Sequence, residues 1–177
     1  MNNPTSLEIK TTLIDYFRFR RQWLCAPEVS WDCGLADILI DTGTEIREVE
    51  VKISKSDLYN NELKKEKHDR GVKCNRFYIC APTYLIEDAI KWCEKTEPFY
   101  GVIEYQSYLN LVIRRSAKPL NRKYYPETRK KIEMRLSSMV YDFMNRKSRA
   151  LQYEKDIPIK NVGFKDLLQP QIVSEII

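Results

Sequence analysis

Asp37, Glu50 and Lys52 are the residues of this chain whose types and spacing could do chemistry together. The stretch "REVEVKIS" (47–54) alternates Val49, Val51 and Ile53 with Glu48, Glu50 and Lys52, so a strand here sends its aliphatic residues to one face and its charges to the other. Asp37 lies in the preceding apolar run, "LADILIDT", and the turn "DTGTE" joins the two. In a hairpin centred on Thr42–Gly43, residues near 36–38 oppose residues near 48–50. Directly opposed side chains have Cβ atoms about 5 Å apart. Asp37 and Glu50 are thus expected to converge, with Lys52 beside them. Two hard carboxylates with a carbonyl such as that of Val51 suit Mg²⁺ or Mn²⁺, which fills its remaining positions with water and phosphate oxygens. An adjacent ammonium can orient or deprotonate an attacking water, or offset charge on a phosphorane-like transition state. The chemistry implied is phosphodiester hydrolysis. The competing reading makes Glu48, Glu50 and Lys52 the solvated face of an edge strand. Apolar residues on the opposing face, and a helix following on each side, favour central strands instead.

The elements that must position these residues follow from periodicity and caps. Thr5 or Ser6 opens a helix with apolar Leu7, Leu13, Ile14 and Phe17, and "PEVSWDCG" alternates as a strand. After the hairpin, a largely polar helix is expected from Ser54 or Ser56 to Gly71. "NRFYICAP" reads as a buried strand. "YLIEDAIKWCEKT" reads as an amphipathic helix with Leu85, Ala89 and Trp92 inward, and "YGVIEYQ" with "LNLVIRR" as a second hairpin-like pair. Ile132, Leu136, Val140 and Phe143 recur at helical spacing in a long basic helix. The order is helix, three strands, helix, strand, helix, two strands, helix, an α/β domain around a mixed central β-sheet flanked by α-helices. One domain is expected over 1–152, with a tail at 153–177.

This arrangement resembles the PD-(D/E)xK nuclease superfamily, in which a lone acid precedes a strand carrying an acid, any residue and a lysine. "PEVSWDCGLADILI", "VEVKISKSDL", "KCNRFYICAP" and "YGVIEYQSYLNLVIRR" are similar in order and character to its MmcB-like DNA-repair branch, over roughly residues 10 to 145. The resemblance implies a restriction-endonuclease-like core, a metal held by Asp37 and Glu50, and Lys52 as catalytic lysine. It also implies that Glu28 points into the same site. Ala36 stands where such sequences often carry a proline. Glu8, on the first helix, matches the position of an extra acid in many superfamily members, although a helix N-terminus favours an acid in any case.

Further candidates come from charge. Lys64 shares a helical face with Lys67 or His68, the chain's single histidine, and that face could contact a phosphate. A plain exposed helix is the alternative. Arg114, Arg115, Arg122 and Lys123 surround Tyr124 and Tyr125, a pattern suited to phosphates and stacked bases. With 30 Lys and Arg against 25 Asp and Glu, the net charge is +5 and the pI about 8.9, which permits a polyanionic partner. The chain has 177 residues, 43% hydrophobic, enough for a substantial core. Its five cysteines contain no C-x-x-C pair, so they read as reduced thiols in a cytoplasmic protein. No apolar run approaches the roughly 20 residues that span a bilayer. These features define the expectation of a cytoplasmic, Mg²⁺- or Mn²⁺-dependent deoxyribonuclease acting on DNA in repair, recombination or mobile-element processing, compatible with a homodimer. The alternatives are an inactive nuclease-fold module that binds nucleic acid or protein, and the same fold acting on RNA or branched substrates.

Overall fold

The computed structural model describes residues 3–31, 34–60 and 73–156, with side chains described as far as 150. The chain divides into two compact units, Met1–Ser138 and Met139–Ile177.

The first unit is built on a six-stranded sheet in sequence order: β1 (Leu24–Trp31), β2 (Gly34–Asp41), β3 (Ile46–Val51), β4 (Arg76–Pro82), β5 (Gly101–Ser107) and β6 (Asn110–Arg115). The β3–β4 and β4–β5 pairs are parallel and the others antiparallel, so the fold is α/β with a mixed sheet. Parallel neighbours need a crossover, whereas antiparallel ones can be joined by tight turns. Accordingly, the connection between β4 and β5 carries α3 (Ile86–Thr96), while Asp41–Glu45 joins β2 to β3 directly. That turn is held by its own side chain, since the Gly43 N–H donates to Asp41 Oδ1 at 2.7 Å. Gly43 has φ +93°, a conformation that costs an L side chain steric strain.

The sheet is covered on both faces. Ile9, Leu13 and Phe17 pack with Ile38, Ile40, Val49 and Val51 on one face. They come from α1 (Ser6–Ile14) and the six-residue π-helical turn that continues it (Asp15–Arg20). Leu7 points outward instead, at 73% exposure. On the other face Leu85, Ala89 and Trp92 pack with Leu58, Phe77 and Ile79, the inward set expected for α3. Leu58 belongs to α2 (Lys55–Tyr59), capped by Ser54, whose Oγ accepts from the Asp57 N–H at 3.2 Å. Residues 61–72, which carry Lys64, Lys67 and His68, lie outside the described residues.

The final helix, α4 (Pro126–Asp156), crosses the boundary between units. In the first unit Ile132 is fully buried and Leu136 half-buried against the core. In the second, Val140 and Phe143 are exposed, so the sequence periodicity continues beyond the stretch where α4 contributes to a core. Among the described residues no helix is long and apolar enough to cross a membrane. Cys25, Cys74, Cys80 and Cys93 are buried, and burial pushes the thiol pKa of Cys25 and Cys93 up to about 12. Cys33 lies outside the described residues.

Candidate functional site

The β2–β3 ladder runs from Asp41↔Ile46 to Ile38↔Val49 and stops there, so the next rung would set Asp37 opposite Glu50. Side chains replace that rung. The Asp37 N–H donates to Glu50 Oε1 at 3.3 Å, and the Val51 N–H donates to Asp37 Oδ2 at 2.9 Å. Each carboxylate is thereby fastened to the backbone of the other's strand. Backbone N–H donors favour a charged carboxylate, and they leave its other lone pairs for further partners.

Glu50 is 7% and Lys52 8% exposed, while Glu48 is fully buried. β3 is a central strand between β2 and β4, which excludes the solvated edge-strand reading. Val49 and Val51 face α1, so alternation sends Glu48 and Glu50 to the face covered by α2 and α3. Lys52 Nζ lies 3.7 Å from Glu50 Oε2 and 3.1 Å from Asp57 Oδ1 at the start of α2. Asp57 therefore orients the lysine, a partner that sequence spacing did not single out.

A second unanticipated cation completes the site. Lys10 Nζ lies 2.8 Å from Asp37 Oδ1 and 3.2 Å from Glu28 Oε1. Burial alone would lower the Lys10 pKa, but the Asp37 and Glu28 carboxylates outweigh it and raise the value. Glu28 sits across β1–β2 from Asp37, between the pairs Pro27↔Ile38 and Val29↔Ala36. Its φ is +52°, a left-handed conformation that costs a non-glycine residue about 1–2 kcal/mol. The kink resets the alternation of β1, so that Ala26, Val29 and Trp31 all join one core cluster. Arg135 of α4 holds the kink from outside: its Nε donates to the Pro27 carbonyl at 3.2 Å and its Nη2 lies 3.7 Å from Glu28 Oε2. A lysine two positions after Glu8 on α1 carries no signal of this role, because the contact depends on how α1 docks on the sheet.

The remaining expected residues lie elsewhere or have structural partners. Glu8 is exposed and forms a capping box with Thr5, accepting from the Thr5 N–H at 2.6 Å, which lowers its pKa. Arg114 pairs at 2.5 Å with Glu104, which is 2% exposed. Burial opposes the Glu104 charge, but Arg114, Thr83 and Gln106 outweigh it and hold the carboxyl below its usual range. Arg115 donates to the Pro98 carbonyl at 2.8 Å. Tyr124 is half-buried against the core and donates to the buried Asp41 at 2.9 Å, and the Lys123 ammonium lies over the Tyr125 ring at 5.0 Å. Arg122 and Lys123 are exposed.

Among the described residues no group of three or more His, Cys, Asp or Glu side chains could enclose a metal. Zn²⁺ and Ca²⁺ sites of the all-protein kind need such a group. The Asp37–Glu50 pair supplies two hard oxygen ligands, a donor set that fits an ion retaining several waters, as Mg²⁺ does.

The fold and this site define an α/β protein with paired carboxylates and two lysines at adjoining central strands. No protein-family model matches the chain, and no curated protein matches it. Among solved structures, a protein of unknown function from Silicibacter pomeroyi is similar, with a TM-score of 0.58 at 17% identity over 90% of this chain and 99% of that one. That likeness concerns the fold.

Proposed function

We propose that this chain is a metal-dependent nuclease that hydrolyses DNA phosphodiester bonds, with a restriction-endonuclease-like core of the PD-(D/E)xK type. The observation that carries the proposal is the exchange between strands, Asp37 N–H to Glu50 and Val51 N–H to Asp37, which holds two carboxylates at the position where the ladder ends. Asp37 and Glu50, with the Val51 carbonyl, would hold Mg²⁺ or Mn²⁺. That ion would supply Lewis-acid polarisation of the phosphate and a lowered water pKa. Lys52, kept in place by Asp57 and Glu50, hydrogen-bonds the attacking water. Water attacks phosphorus in line and gives up a proton to solvent, the bond to the leaving oxygen breaks, and that oxygen takes up a proton from solvent. The basic residues on the loop before α4, Arg122 and Lys123, suit a phosphate backbone. A cytoplasmic role in DNA repair, like that of the MmcB-like branch, is the biological setting we assign.

One observation favours a second reading. Both Asp37 oxygens are engaged, one by Lys10 and one by the Val51 N–H. A nuclease-fold module that binds nucleic acid or protein without cutting would keep such an internal ion pair permanently. Cleavage of linear and supercoiled DNA across a Mn²⁺ titration separates the two. Activity that needs Mn²⁺ and disappears in Asp37→Asn and Glu50→Gln supports the nuclease. Absent cleavage across the whole titration, with DNA binding retained, supports the module, and cleavage that does not need Mn²⁺ overturns both readings.

A further inference from the structure

Lys10 stands where an added cation would have to stand. Its ammonium is 2.8 Å from Asp37 Oδ1 and its side chain is 15% exposed, so the pair is largely shielded from water. Ion pairs of this kind are screened little by salt and persist in the free protein. A divalent ion on Asp37 must therefore displace Lys10. The geometry also provides for the displaced lysine: Glu28 Oε1, 3.2 Å from Nζ, remains as a second anchor. Glu28 is itself held by Arg135 at a kinked, left-handed backbone position directly across from Asp37. A flexible four-carbon stem with three donors can swing about that anchor, which a guanidinium fork would do less readily.

We propose that Lys10 is a tethered counter-ion, occupying the cation position of Asp37 in the free protein and passing to a substrate phosphate when a divalent ion is taken up. The inference rests on the divalent-ion reading of the Asp37–Glu50 pair. Its consequence is coupling. Without nucleic acid, Lys10 competes with the metal and weakens its binding. A phosphodiester offers Lys10 an alternative anion, frees Asp37, and so tightens the metal. By linkage the metal tightens the nucleic acid by the same factor. The site then loads its ion and its substrate together, and Lys10 becomes a phosphate-positioning residue rather than a metal ligand.

The test is Mn²⁺ affinity, read by titration calorimetry and by the spin-resonance signal of free Mn²⁺, on the full chain with and without a phosphorothioate DNA duplex. Lys10→Met keeps the length and apolar stem of the side chain and removes the charge. It should bind Mn²⁺ about 5- to 10-fold tighter than the unmodified protein, within the usual range of such couplings. The duplex should tighten Mn²⁺ in the unmodified protein and have little effect in Lys10→Met. Lys10→Arg, which keeps the charge, should return Mn²⁺ affinity towards the unmodified value. Lys10→Gln gives an independent check should Lys10→Met melt early. Mn²⁺ binding that is lost in Asp37→Asn but unchanged or weaker in both Lys10→Met and Lys10→Gln would overturn the counter-ion role and leave the metal site standing. Tighter binding with the duplex effect intact would overturn the transfer to phosphate. Absence of Mn²⁺ binding in every variant would overturn the divalent-ion reading and this inference with it.

Discussion

Asp37 Oδ2 accepts the Val51 N–H at 2.9 Å, so the acid on β2 is fixed to the strand that carries Glu50 and Lys52. A side chain takes the place of a ladder rung, and the geometry of the pair is set by two strands rather than by side-chain rotamers alone. Sites held on strands in this way are positioned more tightly than sites on loops. Lys52 gains similar support from Asp57 at 3.1 Å.

Lys52→Ala should abolish cleavage while leaving nucleic-acid affinity within about twofold. A group serving the transition state affects turnover more than ground-state binding, and loss of such a group typically costs about 10²–10⁴ in rate. Single-turnover cleavage beside a gel-shift titration checks this. A variant cutting at the unmodified rate would remove Lys52 from the mechanism.

Among the basic residues expected around Tyr124 and Tyr125, Arg122 and Lys123 should behave differently from Arg114. Arg122→Ser with Lys123→Ser should weaken binding and flatten its salt dependence by about one to two phosphate contacts, because each neutralised phosphate releases counterions. Arg114→Ser should lower stability by about 1–3 kcal/mol, because it leaves the buried Glu104 without its principal cation. Gel shifts across salt concentrations, paired with denaturant melts, distinguish the two. Tyr124→Ala should likewise register in the melt, through Asp41, rather than in single-strand binding.

Gly101→Ala should destabilise the first unit by about 1–3 kcal/mol, lowering Tm by several degrees. An added Cβ would approach Tyr78 Cδ1 at 2.5 Å and the Ala117 backbone nitrogen at 2.7 Å. The Tyr78 ring is buried and the backbone cannot move aside cheaply. Scanning calorimetry reads the effect, and an unchanged Tm would show that the β4–β5 contact is looser than this geometry implies.

Glu45 links acid stability to the hairpin. Hydrogen bonds from Arg76, at 3.0 and 3.1 Å, act first, and Arg47 adds to them against the cost of burial, holding the Glu45 carboxyl below its ordinary value of 4.5. Its folded pKa is depressed, so its contribution is complete above about pH 4.5 and is lost as pH falls through the lower folded value. Glu45→Gln should therefore cost about 0.5–1 kcal/mol near neutral pH and much less towards pH 3. Denaturant melts at a series of pH values check the sign. A gap that widens in acid would contradict it.

Alternation and turn chemistry are local properties, and they were legible. Glu50 and Lys52 share a face because a strand has a period of two, and Asp37 meets Glu50 because the Asp41–Glu45 turn sets the register. The order of helices and strands, the Ser54 cap and the inward face of α3 follow from the same short-range rules. The tertiary structure alone decided the rest. Lys10 reaches Asp37, 27 positions away, only because α1 docks across β1–β3, and Arg135 reaches Glu28 only because α4 returns to the kink in β1. Arg114 and Tyr124 looked like surface ligands for nucleic acid by composition, yet Glu104 and Asp41 claim them, since a buried carboxylate needs a donor wherever the packed chain supplies one. Sequence spacing shows which residues share a strand or helix face. Which charges neutralise one another is settled when those faces are pressed together and water is removed.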